Sequence, residues 1–208
     1  MRVTVFDYGA GNLHSLVKAL AAPDVDVRVE SDPTRAVDAD ALVLPGVGAF
    51  GAAAARLAPG REAMRDAMAA GLPALGICLG MQLLFEESEE GPGAGLGLIP
   101  GRVSRLRCRR VPQIGWNVLE DPSDPLLEAA PVEVAYYANG YVCRPADGAC
   151  VRAWSTHEED RFPAMVRSGS VVGVQFHPEK SSRPGVELVR AFLREAARRR
   201  AAAREAAR

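Results

Sequence analysis

An α/β fold on a doubly wound, mostly parallel central sheet is what this chain predicts, and three observations carry that expectation. Apolar strand runs at residues 3–6, 41–44 and 72–77 alternate with helical patterns through the first half. Strands apolar at every position must be buried on both faces, which marks a parallel sheet layered between helices. Each run ends in a glycine-containing turn at what would be the carboxyl edge of the sheet, where such folds bind ligands. At 208 residues the chain is long enough to bury one full core without staples.

The elements follow in order. Strand 3–6 opens into Asp7-Tyr8-Gly9-Ala10-Gly11-Asn12, and Asn12 suits the N-cap of a helix over 13–20. Residues 25–29 alternate as a strand, and 41–44 run into Pro45-Gly46-Val47-Gly48-Ala49-Phe50. Helical patterning fills 52–70 with a break at Pro59-Gly60, and another helix is expected over 79–86. After Gly91 the pattern changes to short strands at 102–106, 132–137, 164–167 and 171–175, read as antiparallel additions packed on the first half. A last helix is expected over 184–199, with Val186, Val189, Phe192 and Leu193 on one face. One domain over 1–197 results, with 198–208 as a fraying helical or disordered tail.

Composition narrows the function classes. Hydrophobic residues at 48% and charged residues at 25% are ordinary for a soluble domain, and a net charge of -1 offers no nucleic-acid or anionic-membrane partner. The arginine clusters at 102–110 and beyond 190 read as solvated faces. No apolar run approaches the ~20 residues that span a bilayer. Cys78, Cys108, Cys143 and Cys150 lack metal-ligand spacing, so neither metal nor cofactor is expected. The opening residues lack a signal-peptide pattern, which predicts a cytoplasmic protein with reduced thiols even though Cys143 and Cys150 could meet across a hairpin.

The chemistry concentrates at Gly76-Ile77-Cys78-Leu79-Gly80-Met81-Gln82 and Gln175-Phe176-His177-Pro178-Glu179. A strand turning sharply into a helix exposes its turn residue, and the helix N-terminus then favours a thiolate at Cys78. His177 can serve as its base and acid, and Glu179, held across Pro178, can fix the imidazole tautomer. His14 and His157 have no comparable setting. Acyl transfer also needs an oxyanion hole, for which the backbone N–H of Leu79 is one donor and the Val47-Gly48 segment a candidate second. An ordinary strand-to-helix turn explains Gly46-Val47-Gly48 equally well.

These residues resemble the class I glutamine amidotransferases, which carry a Cys and a His-x-Glu on such an elbow. Gly76-Ile77-Cys78-Leu79-Gly80-Met81-Gln82-Leu83-Leu84-Phe85, Pro45-Gly46-Val47-Gly48-Ala49-Phe50, Gly115-Trp116-Asn117 and Gln175-Phe176-His177-Pro178-Glu179-Lys180-Ser181 are similar to the glutaminase subunit of imidazole glycerol phosphate synthase. The resemblance covers residues 2–195. It implies a flavodoxin-like glutaminase fold, L-glutamine as substrate, Cys78 as nucleophile, His177 and Glu179 completing a triad, and Gly46, Gln82, Asn139 and Gly140 at the substrate. It further implies a heterodimer with a (β/α)8-barrel cyclase that receives ammonia through a tunnel, with Asn12, Gln113, Trp116, Tyr136 and Lys180 toward that partner. Trp116 fits a buried indole equally well. Two segments depart from the usual pattern: Gln113 and Asn139 each stand where many members have histidine, removing a titratable group and predicting coupling less sensitive to pH near neutrality. Rival readings are the glutaminase of a different synthase, or a non-catalytic relative with a redox-sensitive elbow cysteine.

Overall fold

The apolar runs of the first half condense into a sheet whose order follows from what covers each strand. The computed structural model describes residues 1–9 and 13–206. Strand β1 (Arg2–Phe6) leads to helix α1 (His14–Leu20), β2 (Asp26–Glu30), the one-turn α2 (Pro33–Ala36) and β3 (Ala41–Leu44). Helices α3 (Phe50–Leu57) and α4 (Arg61–Ala69) are separated at Ala58–Gly60, as Pro59-Gly60 predicts, and β4 (Ala74–Ile77) and α5 (Leu79–Gln82) follow. The second half holds β5 (Glu87–Ser88), β6 (Gly101–Arg105), β7 (Gln113–Val118), α6 (Pro125–Ala129), β8 (Val134–Asn139) and β9 (Tyr141–Pro145). Then come β10 (Val151–His157), β11 (Asp160–Ser168), β12 (Val171–Val174) and the long α7 (Ser182–Ala206).

Among the described residues, the main sheet runs β10-β11-β12-β4-β3-β1-β2. The strands from β12 to β2 are parallel, and β11 and β10 extend the sheet antiparallel. Alternation along the strands splits the core in two. Val3, Val5 and Val43 pack with Leu16 and Leu20 of α1 and with Val189 and Phe192 of α7. Phe6, Leu42 and Leu44 face the other way, onto Phe50 and Leu57 of α3 and Met64 and Met68 of α4. Helices on both faces make the sheet doubly wound. A three-stranded sheet β5-β6-β9 and a β7–β8 ribbon are added to it.

Three expectations are corrected. The segment 171–175 is not an antiparallel addition: β12 pairs parallel with β4, from Val171 opposite Ala74 to Val174 opposite Ile77. Its four residues are all buried, as an interior parallel strand requires. The helix after Cys78 lasts one turn rather than the eight residues expected. Leu83, Leu84 and Phe85 are all fully buried, and their carbonyls accept from the backbone of Leu96, Leu98 and Gly97 in the loop that closes over them. The terminal helix does not end near 199 but continues to Ala206. Alanine and arginine sustain a helix on propensity, Glu195 pairs with Arg199 one turn on, and Arg200 reaches Asp40 at 2.6 Å.

Buried charge fastens elements of the second half to one another. Asp124, wholly buried, accepts from Leu126 N–H at the start of α6 and takes both arms of Arg167 on β11. The same guanidinium holds Glu195 of α7. Charges this deep are tolerable only when paired and hydrogen-bonded, and here the three groups join β11, α6 and α7. No helix among the described residues is long and apolar enough to cross a membrane.

Candidate active site

Cys78 sits where β4 stops and α5 starts, with φ 47° and ψ −101°. A side-chain-bearing residue pays of order 1–3 kcal/mol for such a conformation, so the surroundings must enforce it. They do: Cys78 N–H donates to the Val174 carbonyl at 2.7 Å, and its own carbonyl accepts from Gln82 N–H at 3.1 Å. Gly80 lets α5 settle directly on the end of β3, because a Cβ there would lie 2.0 Å from the Leu44 carbonyl oxygen. That collision is with backbone, so only glycine fits.

The parallel register of β12 with β4 delivers the second half of the site. Beyond Val174 the chain emerges beside Cys78 and carries His177, which is 3% exposed. Its backbone N–H donates to the Tyr136 carbonyl at 2.8 Å, and its carbonyl accepts from Ser181 Oγ at 2.7 Å, so the loop is pinned at both ends. Ring nitrogen Nδ1 lies 2.8 Å from Glu179 Oε1. The ring and the Cys78 side chain border the same small space above Gly46, close enough for the sulfur to act on the ring electrostatically. A Cβ added at Gly46 would stand 2.9 Å from His177 Cε1 and 3.0 Å from Cys78 Cβ, so the missing side chain holds open the space where ring and thiol meet.

Electrostatics follow from that contact. Burial disfavours a charged ring, but hydrogen bonds and negative charge from Cys78 and Glu179 outweigh it, and the imidazole pKa rises from 6.5 to about 9. At neutral pH the ring therefore carries its proton. The raised value means that this contribution to stability is complete below about pH 6.5 and disappears as pH climbs through about 9. We predict the same alkaline limb in any reaction that draws on this proton: its rate falls through about pH 9 as His177 loses it. Glu179→Gln, which removes one anionic partner, moves that limb toward neutrality in a pH–rate profile; an unmoved limb would contradict the assignment. Burial pushes the Cys108, Cys143 and Cys150 thiols up from their ordinary value.

Around this centre the expected residues fall into distinct places. Leu79 begins α5 immediately after the sulfur. Val47 and Gly48 lie in the loop after β3, with Gly48 at φ 107°, a region open to glycine. Gln82 and Asn139 converge on one acceptor: Gln82 Nε2 and Asn139 Nδ2 each donate to the Tyr141 carbonyl at 3.1 Å. Gly140 gives its carbonyl to Leu106 N–H at 3.0 Å, which ties the β8–β9 turn to the residue that follows β6. A cavity of about 230 Å³ lies beside the triad, lined by Leu13, Ser15, Leu16, Pro45, Gly46, Val47, Glu179 and Lys180. The roomier groove between Arg107–Arg109 and Glu158-Glu159 holds no nucleophile paired with a base.

The partner-facing expectations separate by strand alternation. Trp116 is 55% exposed and meets Tyr136 edge to face, so the buried reading of its indole is set aside. Ile114 and Val118 on β7 and Val134 on β8 share that outer face. Gln113 does not: it is buried opposite Asn139 on the inner face, one residue out of phase with Trp116's set. Lys180 is exposed next to the triad. Asn12, expected both as a helix cap and toward the partner, lies outside the described residues. Sequence reasoning assigned no role to Gln175, although its Nε2 lies 3.5 Å from Cys78 Sγ. Its position next to the His-Pro-Glu segment was the available signal.

Comparison with known proteins bears on this geometry. The family model "Glutamine amidotransferase class-I" matches residues 4–196. The imidazole glycerol phosphate synthase subunit HisH of Halobacterium salinarum is 44% identical over 201 residues, covering 92% of each chain. The chain belongs to the HisH family of class I glutamine amidotransferases. Its HisH relative from Symbiobacterium thermophilum is 45% identical over 194 residues, covering 90% of this chain and 91% of that one. Fold similarity reaches further than sequence. A glutamine amidotransferase crystal structure superposes with a TM-score of 0.73 at 22% identity, covering 94% of this chain and 98% of that one. A putative GMP synthase component from Thermoplasma acidophilum gives 0.70 at 19% identity, covering 98% of both. At such low identity these two establish the class I amidotransferase fold alone.

Proposed function

We propose that this HisH-family chain is the glutaminase subunit of imidazole glycerol phosphate synthase and works with a cyclase subunit in the cytoplasm. The observation that carries the reading is the contact of a buried, Glu179-backed His177 with a cysteine held at a strained elbow. In the reaction, Cys78 sulfur adds to the side-chain amide carbon of glutamine. The carbonyl oxygen takes the negative charge beneath backbone N–H groups of Leu79 and of the Val47-Gly48 segment. The C–N bond then breaks, the imidazolium of His177 gives its proton to the departing nitrogen, and ammonia leaves a γ-glutamyl thioester. Water adds to that thioester with His177 as base, the sulfur departs, and glutamate is released. Glu179 keeps the ring oriented and stabilises its charged form. Gly46, Gln82, Asn139 and Gly140 line the approach taken by the substrate.

Ammonia is useful only if delivered unprotonated, so the chain must dock against the protein that consumes it. The outer face of the β7–β8 ribbon, with Ile114, Trp116, Val118, Val134 and Tyr136, supplies an apolar docking surface. It is bolted to the triad, since Tyr136 accepts from His177 N–H and its own N–H donates to Ser181 Oγ at 2.9 Å. Lys180, one of only two lysines in the chain, adds a cation at the rim of this surface. The partner is a (β/α)8-barrel cyclase that turns the ribulosyl aminoimidazole nucleotide PRFAR into imidazole glycerol phosphate and an aminoimidazole carboxamide ribotide.

The reading is tested by mixing the chain with that cyclase, glutamine and PRFAR and measuring glutamate. Stoichiometric glutamate and imidazole glycerol phosphate, with glutamate release stimulated by the nucleotide, are expected. Glutamate produced equally with an unrelated amidotransferase's synthase, and without response to PRFAR, would point to a different partner.

A further inference from the structure

Gln175 is wholly buried, directly follows β12 and has no part in the triad. Its backbone N–H is spent on the Ala164 carbonyl at 2.9 Å, so the residue is clamped to β11. Its side chain lies in a line of amides. Gln82 Nε2 approaches Gln175 Oε1 at 3.5 Å and also donates to the Tyr141 carbonyl at 3.1 Å, which in turn accepts from Asn139 Nδ2. That sequence of donors and acceptors fixes which way the Gln175 carboxamide points. Its oxygen is turned to Gln82, leaving its NH2 facing Cys78 Sγ at 3.5 Å.

A neutral thiol is a poor acceptor and gains little from such a neighbour, whereas a thiolate in a dry site gains much more. A donor that can be neither withdrawn nor deprotonated therefore biases the sulfur toward its anion and holds it at the mouth of the elbow. We propose that Gln175 is a positioning residue for the nucleophile, its carboxamide N–H holding the Cys78 sulfur as thiolate in line for attack and being aimed in turn by Gln82. The inference rests on Cys78 being the nucleophile, as argued above. It divides the labour at the sulfur: His177, backed by Glu179, supplies the mobile proton and charge, and Gln175 supplies a fixed neutral hydrogen bond. The remaining ionisable neighbour is Cys143, buried and held protonated. The arrangement also gives Gln82, whose amide nitrogen is engaged inside the protein, the added task of orienting Gln175.

The test uses the assembled complex with the cyclase and two substitutions. Gln175→Met fills the space without a donor, and Gln175→Glu keeps the outline while replacing the donor with an acceptor. Carbamidomethylation by iodoacetamide is followed against pH on the peptide containing Cys78, which separates it from the partly exposed Cys108 and Cys150. Glutamine kcat and KM are measured alongside. For Gln175→Met the midpoint of Cys78 alkylation rises by about one pH unit, with kcat down about tenfold and KM within about threefold. Gln175→Glu raises the midpoint further, since a carboxylate beside the sulfur opposes its charge. If either variant fails to assemble, Gln175→Asn, which pulls the carboxamide back by one methylene, is read in the same way. An unmoved alkylation midpoint in variants that melt and assemble like the wild type overturns the inference. Failure of the wild-type Cys78 to be alkylated in a glutamine-protectable manner would instead count against the nucleophile itself.

Discussion

Cys78→Ala lowers glutamine-dependent turnover by roughly four to six orders of magnitude, the loss seen when a covalent nucleophile is removed from a working triad. His177→Ala gives a loss of similar size, and the double substitution adds little, because the two groups act as one unit. Both losses are expected while the cyclase, supplied with ammonium salt, continues to turn over, since neither side chain reaches the outer face of the β7–β8 ribbon. Cys78 is 6% exposed and His177 3%, so each replacement leaves a small cavity, yet the sheet below them is unaltered. The measurement is paired: glutamate release and ammonium-driven product formation on the same preparation. Retention of glutamine-dependent activity within about tenfold in either variant would place the chemistry elsewhere.

Gly46→Ala is expected to cost about 100-fold or more in glutamine turnover, although it adds a single methyl group. That methyl would lie 2.9 Å from His177 Cε1, 3.0 Å from Cys78 Cβ and 3.0 Å from the Ile77 carbonyl oxygen. The carbonyl belongs to β4 and Cys78 is fixed by its backbone bonds, so the imidazole is what must move. A displacement of about 1 Å at a catalytic group is enough for a hundredfold loss. The stability cost is of order 1–3 kcal/mol, as for other overpacked sites, small enough to leave the complex intact. Cys78 should then also label more slowly at neutral pH, because the ring no longer pairs with the sulfur. Turnover within about threefold of wild type would show that ring and thiol do not need the space Gly46 leaves.

What could be read from the sequence was what neighbouring residues decide among themselves. The elbow is such a case: an apolar strand, a cysteine between glycines and an immediate helix are local, and the positive φ at Cys78 follows from them. His177, Pro178 and Glu179 are likewise a contiguous motif, and the 2.8 Å pairing across the proline needs no distant partner. The doubly wound sheet was legible because wholly apolar strands leave few alternatives. Pairing between distant segments was not legible. A short buried strand such as β12 carries no mark of its neighbour, so its parallel place beside β4 was missed. Gln113 and Trp116 lie three residues apart in one strand, so alternation puts them on opposite faces, and only the packing of the β7–β8 ribbon decides which face is buried. Gln175 went unassigned for the same reason, since its contact with the sulfur depends on Val174 lying opposite Ile77.

That register also sets a timetable for the nascent polypeptide. Cys78 is made early, but the groups that would arm it, at 175, 177 and 179, are among the last to leave the ribosome before α7. The strand that carries them slots into the middle of an otherwise nearly complete sheet, between β4 and β11. Any product truncated before residue 171 thus bears a sulfur without its proton partner and exposes an unfilled β4 edge, so partial chains are candidates for clearance and not for stray amide cleavage. The strand that completes the site is the last of the sheet to be synthesised.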